Sequence, residues 1–267
     1  VLLRRLEKVR IENISAARKA LLGHPATRDL VTGEKQEVAD PTRDKTTCFE
    51  NLTVRCLLDE ALDSAKAVFK PELRDWALGE ILVAQARAGL RPEAMQTAGR
   101  IRDPRLIVVA LRDIAEAQAA SGLSEKALAA AGIIPDPKKN AEALAAIADI
   151  QVKRGDKNDA LATAERLLNA LPAIDDSLTR ISLQARVAVI LAKSGDAPQA
   201  SDILAKAEFF SRANISGDNL GIALRHIAKG LAETHKLAQA MTILSDVTDD
   251  SNRTPVLIAA ATQQALA

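Results

Sequence analysis

The chain has 267 residues, enough for a sizeable core, held as one elongated domain or two compact ones. Its 36 Lys and Arg against 35 Asp and Glu leave a formal net charge of +1, without the basic surplus that nucleic-acid binding draws on, so no nucleic-acid partner is expected. Aromatic residues make up only 2% of the chain, and a core of Ala, Leu, Ile and Val suits close helix packing better than a β-sandwich.

Residues 1–22 read as an amphipathic helix, with Leu2, Leu6, Val9, Ile14, Ala17 and Leu21 on a drifting apolar face. Arg4, Arg5, Lys8, Arg10, Arg18 and Lys19 outnumber Glu7 and Glu12. Two roles fit: peripheral contact with an anionic membrane surface, or a helix capping the exposed end of a stack. The absence of bulky aromatics on the apolar face favours the cap. No stretch is apolar for long enough to cross a bilayer. The chain opens on Val1, as expected of a mature form whose signal peptide is gone or of a trimmed chain. Residues 23–40 are polar and turn-rich and read as a long loop.

Residues 41–267 read as a helical repeat domain, which Asp40-Pro41 opens as an N-cap followed by a first-turn proline. Cys48 and Cys56 fall early in it. In a regular helix eight residues span about 12 Å, beyond the roughly 7 Å limit for a bridge. Either both are free and buried, or the Thr46-Thr47-Cys48 segment, whose tandem β-branched threonines weaken a helix, folds back as a loop and the two are bonded. A bond would place the protein in an oxidising compartment such as a bacterial periplasm or envelope; otherwise a cytoplasmic location is expected.

The repeat is clearest from Ala77 onward. "ALGEILVAQARAG" recurs as "ALRDIAEAQAASG" and "ALAAIADIQVKRG" at a spacing of 33 residues. Ile81, Ile114 and Ile147 align, as do Gln85, Gln118 and Gln151, then Gly89, Gly122 and Gly155, and Ala94, Ala127 and Ala160. Self-similarity at such a period marks stacked repeats. Leu111, Ile114 and Gln118 share one helix face, Gly122 ends that helix in a left-handed conformation, and Ser124 caps a second helix with Ala127 and Ala131 facing inward. Asp103-Pro104 and Asp136-Pro137 then start the following helices. First helices are predicted over 71–88, 104–121 and 137–154. The phrase returns at "ILAKSGDAPQA", 40 residues after "IQVKRGDKNDA", and again at Ile222–Ala240 with His235 in the glycine slot. A last helix is predicted from about Thr254, where "NRTPVL" supplies a cap and a proline.

These residues resemble the tetratricopeptide repeat family. The small turn residue, the alanine five positions later and the first-helix aliphatic fall on Gly89, Ala94 and Ile81, on Gly122, Ala127 and Ile114, and on Gly155, Ala160 and Ile147. The period is 33 rather than 34, and Gln85, Gln118 and Gln151 stand where the family has an aromatic. The resemblance implies an all-α fold, a right-handed α-solenoid of stacked helix-turn-helix repeats whose first helices line a concave groove. It puts Trp76, Val83 and Arg87 in that groove, then Val109, Arg112 and Glu116, then Asp149, Val152 and Lys153.

Nothing in the chain assembles into a catalytic or metal motif. His24, His226 and His235 lack zinc-ligand spacing, no serine sits in G-x-S-x-G, and there is no phosphate-binding glycine loop. "DKND" at 156–159 lacks the central glycine and closing glutamate of a calcium loop, and Asp175-Asp176 and Asp249-Asp250 read as helix caps. The expectation is therefore a protein that is no enzyme and carries no cofactor or metal. It binds a partner protein or peptide in the groove, with a carrier of a lipid-like apolar ligand in the same groove, closed by the N-terminal helix, as the alternative.

Overall fold

The computed structural model describes residues 2–32, 38–40 and 42–266. Among these it is all-helical, with fifteen α-helices and no strand. The chain divides into two compact units, residues 1–140 and 141–267.

The first unit begins with α1 (Leu2–Gly23), α2 (Pro25–Thr32), α3 (Thr46–Glu50) and α4 (Val54–Lys66). Two paired helices follow: α5 (Pro71–Arg87) packs on α6 (Arg91–Arg100), and α7 (Pro104–Ala120) on α8 (Ser124–Gly132). The first members, α5 and α7, also pack side by side. In the second unit α10 (Lys157–Ala170) packs on α11 (Ser177–Ser194), which pairs with α12 (Ala197–Asn214). Next, α13 (Gly217–Glu233) pairs with α14 (Leu237–Leu244), and α15 (Asp250–Leu266) closes on both. The division between the units falls within α9 (Pro137–Arg154).

Each pair is set by one turn. Gly89, Gly122, Gly155 and Gly195 have φ of 76°, 75°, 84° and 112°, and His235 takes the same slot at 63°. The residue after each donates its N–H back five residues, from Leu90 to Gln85 O, Leu123 to Gln118 O, Asp156 to Gln151 O, Asp196 to Leu191 O and Lys236 to Leu231 O, at 2.8–2.9 Å. This is the Schellman closure, which satisfies the carbonyls a helix end leaves free. A histidine there bears the left-handed penalty that glycine avoids.

The turn aims the second helix, and alanine lets it approach. Ala94, Ala98, Ala127, Ala131, Ala160 and Ala164 are at most 1% exposed. In the second unit Leu204 takes the larger role and its partner gives way. A Cβ placed on Gly230 would lie 3.0 Å from Leu204 Cδ2 and 3.4 Å from Ala185 O, so glycine at 230 makes the room. The buried polar groups follow the same register: Gln85, 1% exposed, accepts a 2.8 Å bond from Thr97 Oγ1 across its hairpin. Buried Asp75 accepts from the Arg102 and Asp103 N–H groups and so ties α5 to the start of α7.

The structure corrects several expectations. Residues 25–32 are helical rather than loop: Pro25 opens α2, Thr27 is buried and donates to Leu21 O at 2.7 Å, and Leu30 and Val31 are buried, with α2 packed on α6. Asp40 opens no helix; its carboxylate accepts from Thr42 N and Oγ1 in a local turn, residues 42–45 are not helical, and Pro41 lies outside the described residues. Ser124 is the first helical residue and not the cap, which is Leu123. The last helix starts at Asp250, with Asp249 accepting from Ser251 N and Pro255 inside the helix. The caps of Asp103, Asp136 and Asp176 stand as expected, accepting from Arg105 N, Lys139 N and Thr179 N.

If alanine sets the approach of paired helices, enlarging it must strain the hairpin. Ala127→Leu is expected to cost about 1–3 kcal/mol in urea unfolding through overpacking between α7 and α8. A neutral result would place Ala127 elsewhere than the interface.

Candidate functional site

Faces of the first helices stay accessible once the hairpins pack, and in each unit a cleft lies against them. In the first unit α1 lies against α7, not against the outer end of the first hairpin. Its Asn13, Ala16, Ala17 and Ala20 face Arg105, Val108, Val109 and Arg112 of α7, with Asp136 and Lys139 nearby, around a cavity of about 360 Å³. The cations on α7 are engaged. Arg105 binds Asp103 through Nε at 3.0 Å and Nη2 at 2.5 Å. Burial works against the Asp103 charge, but the bonds from the Arg105 side chain and backbone outweigh it and hold the carboxyl below its usual range. Arg112 binds Asp113 at 2.7 Å and lies 3.4 Å from Glu116. Both arginines are partly exposed, so these pairs orient side chains more than they stabilise the fold.

In the second unit the cleft crosses three first helices and encloses about 400 Å³. Asp149 and Lys153 come from α9; Ser182, Arg186, Val189 and Lys193 from α11; His226, Lys229 and Glu233 from α13. Arg186 is held by Asp149 at 2.5 Å, and Lys229 lies 3.7 Å from Glu233. Lys153 and Lys193 are exposed and, among the described residues, have no ion-pair partner. The four basic and two acidic side chains leave two surplus positive charges on this wall.

His226 is neutral. Burial, then the charges of Arg225 and Lys229, push its pKa down from 6.5 to about 4. Its Nε2 lies 3.0 Å from Arg225 Nη2, and because a guanidinium can only donate, Nε2 accepts and the ring proton sits on Nδ1.

The residues expected in the groove are placed as follows. Val109 and Arg112 line the first cavity; Asp149 and Lys153 line the second. Glu116 pairs with Arg112 at the edge of the first. Trp76 is 63% exposed on α5, which removes it from the core, and with Val83 and Arg87 it lines neither cavity. Val152 is half-buried outside the second cavity. Sequence reasoning missed Ser182, Arg186, Lys193, His226 and Lys229. The 40-residue offset that aligns Gly155 with Gly195 also aligns Lys153 with Lys193, and was the available signal.

Cys48 and Cys56 are joined in a disulfide, with Cα atoms 5.6 Å apart. Residues 46–48 are helical in α3 and not a loop; the helix breaks instead at 51–53, Thr53 caps α4 by accepting from Cys56 N, and the backbone doubles back there as the bond requires. Among the described residues no helix is long and apolar enough to cross a membrane, and no three His, Cys, Asp or Glu residues converge on a metal position.

Comparison with family models, with curated proteins and with solved structures finds no match for this chain.

The His226 environment has a consequence for stability. An unfolded histidine titrates near 6.5. Between pH 6.5 and about 4 the unfolded chain takes up a proton that the folded one refuses, so stability falls as pH drops through that window and is unaffected above it. Following the imidazole by NMR should give a pKa near 4, and His226→Gln should flatten the decline in urea midpoint below pH 6.5. A pKa near 6.5 would contradict the buried, arginine-bonded geometry.

Proposed function

We propose that this protein is a non-enzymatic scaffold that holds a partner polypeptide along the first-helix faces of a right-handed, tetratricopeptide-like α-solenoid. Support for the repeat architecture comes from the left-handed turns at 89, 122 and 155, the alanines five residues after each, and the side-by-side packing of α5 with α7, of α11 with α13 and of α13 with α15.

One observation carries the binding reading: Lys153 and Lys193 project from equivalent positions of successive repeats into a cleft whose other charges are paired. Two unspent cations on a mixed polar wall suit the carboxylates of an acidic peptide segment, through charge-assisted hydrogen bonds. They do not suit a buried acyl chain, which needs mostly apolar walls. The state of His226 also argues for binding rather than catalysis, because its Nε2 lone pair is occupied by Arg225 and its low pKa makes it a weak base near neutrality. The lipid-carrier alternative draws on a different place, the alanine- and valine-lined cavity under α1.

The Cys48–Cys56 disulfide favours an oxidising compartment, and the location that fits it is a bacterial periplasm or envelope.

Binding of acidic and neutral 12-residue peptides arrayed on a surface tests the function. The wild-type protein should retain acidic peptides. Lys153→Glu combined with Lys193→Glu should weaken that retention at least tenfold with an unchanged helical circular dichroism spectrum. Equal retention by both proteins, or none by the wild type, would overturn the reading.

A further inference from the structure

The core of this protein is built without aromatic side chains. The chain has one tryptophan and four phenylalanines, and none of the five is buried. Three of them, Phe49, Phe69 and Trp76, fall in the first unit within one short span, and Leu52, Val54, Leu57 and Leu73 of the same span are exposed as well. The fold gathers these side chains at one edge. The Cys48–Cys56 disulfide holds α3 against the first turn of α4, which brings Phe49, Leu52, Val54 and Leu57 to one corner. Helix α4 packs on α5. At the start of α5, Leu73 and Trp76 are three residues apart and share a face, with Phe69 just ahead of the helix. A helix capping the stack would cover this edge, but α1 packs on α7 instead. Phe69 is 93% and Trp76 63% exposed, and the other five lie between 44% and 64%. Taking about 200 Å² for a large apolar side chain, the seven leave on the order of 800 Å² open to solvent, above the roughly 300–600 Å² of the largest apolar patch on a typical monomer.

We propose that this edge, made of α3 and the first turns of α4 and α5, is the interface of a two-fold symmetric dimer with a second copy of the chain. Area is the first ground. A standard stable interface buries about 800 Å² on each partner, which this face supplies without further surface. Charge is the second. Across a two-fold axis a patch meets itself, so a surplus of one sign on it would face its own like. Four bordering cations are spent within the protomer: Arg43 and Lys45 on Glu60 at 2.8 and 4.0 Å, Arg55 on Glu93, and Lys66 on Asp63 at 3.4 Å. Lys70, Glu50 and Glu72, also exposed, add both signs, so two copies offer each other opposite charges around an apolar centre. Such a face gives a strongly charged partner little to recognise and matches its own copy. Trp76 contributes the kind of rigid ring that dominates interface energetics. The interface lies wholly in the first unit and does not depend on the lysine cleft of the second.

Trp76 is the only tryptophan, so its fluorescence reads the interface directly. Sedimentation velocity of the full chain should show monomers giving way to dimers as concentration rises through the micromolar range. Trp76 emission should move to shorter wavelength over the same range. Leu73→Glu on α5 and Leu57→Glu on α4 should each raise the midpoint concentration at least tenfold. Both side chains are exposed in the protomer, so the helical circular dichroism spectrum should not change. Phe209→Ser, which removes an exposed ring of the second unit, should leave the midpoint where it is. A protein that stays monomeric at every concentration, or a dimer that Phe209→Ser weakens and the two glutamates do not, would overturn the proposal. A monomer whose Trp76 emission shifts only on adding a peptide would also overturn it, and would assign the face to a polypeptide partner.

Discussion

The structure depends on how closely two helices can approach after a left-handed turn. A residue with positive φ closes the first helix, its successor bonds back to the carbonyl five residues earlier, and five positions after the turn an alanine stands where any larger side chain would hold the helices apart. The contact is short-range and has no polar component, so it sets geometry more than it contributes energy. Where the rule is relaxed the compensation is local. Leu204 occupies a slot held by alanine elsewhere, and Gly230 on α13 supplies the missing volume. His235 replaces glycine in the last turn, and the same backbone closure forms around it.

Beside the buried seam each first helix keeps an accessible face. The remaining faces are free to carry charge, and the two units use that freedom differently. On α7 the arginines are neutralised by neighbouring carboxylates, and the surface that remains is shaped by Val108 and Val109. Across α9, α11 and α13 the pairing is incomplete, and Lys153 and Lys193 keep their charge. The proposed polypeptide binding would draw on the charge left on the second unit's wall.

The hairpins were legible because the residues that define them are conformationally special. Gly89, Gly122 and Gly155 with the prolines at 71, 104 and 137 locate both ends of α5, α7 and α9, to within a residue of the observed Pro71–Arg87, Pro104–Ala120 and Pro137–Arg154. The turn at His235 was legible for the same reason, by register rather than residue type. Helix α2 was not. "PATRDLVT" is polar enough to pass for loop, and what makes it a helix is tertiary: a Thr27 bond to Leu21 O and the burial of Leu30 and Val31, with α2 packed on α6. The seat of α1 was hidden because alanine at positions 16, 17 and 20 names no partner. Lys153 and Asp149, expected in a groove through the resemblance, line the second unit's cleft, whereas His226 was passed over because its environment comes from Arg225 beside it and from burial, neither of which spacing reveals. The disulfide stayed open for a related reason: the eight-residue separation permits a bond only if the chain reverses at 51–53, a choice made by the break between two helices.

Native mass spectrometry of the protein purified from its own source tests the central claim most directly. The account predicts a retained polypeptide mass, lost when Lys153 and Lys193 are both replaced by glutamate. A retained lipid mass with no polypeptide would contradict it.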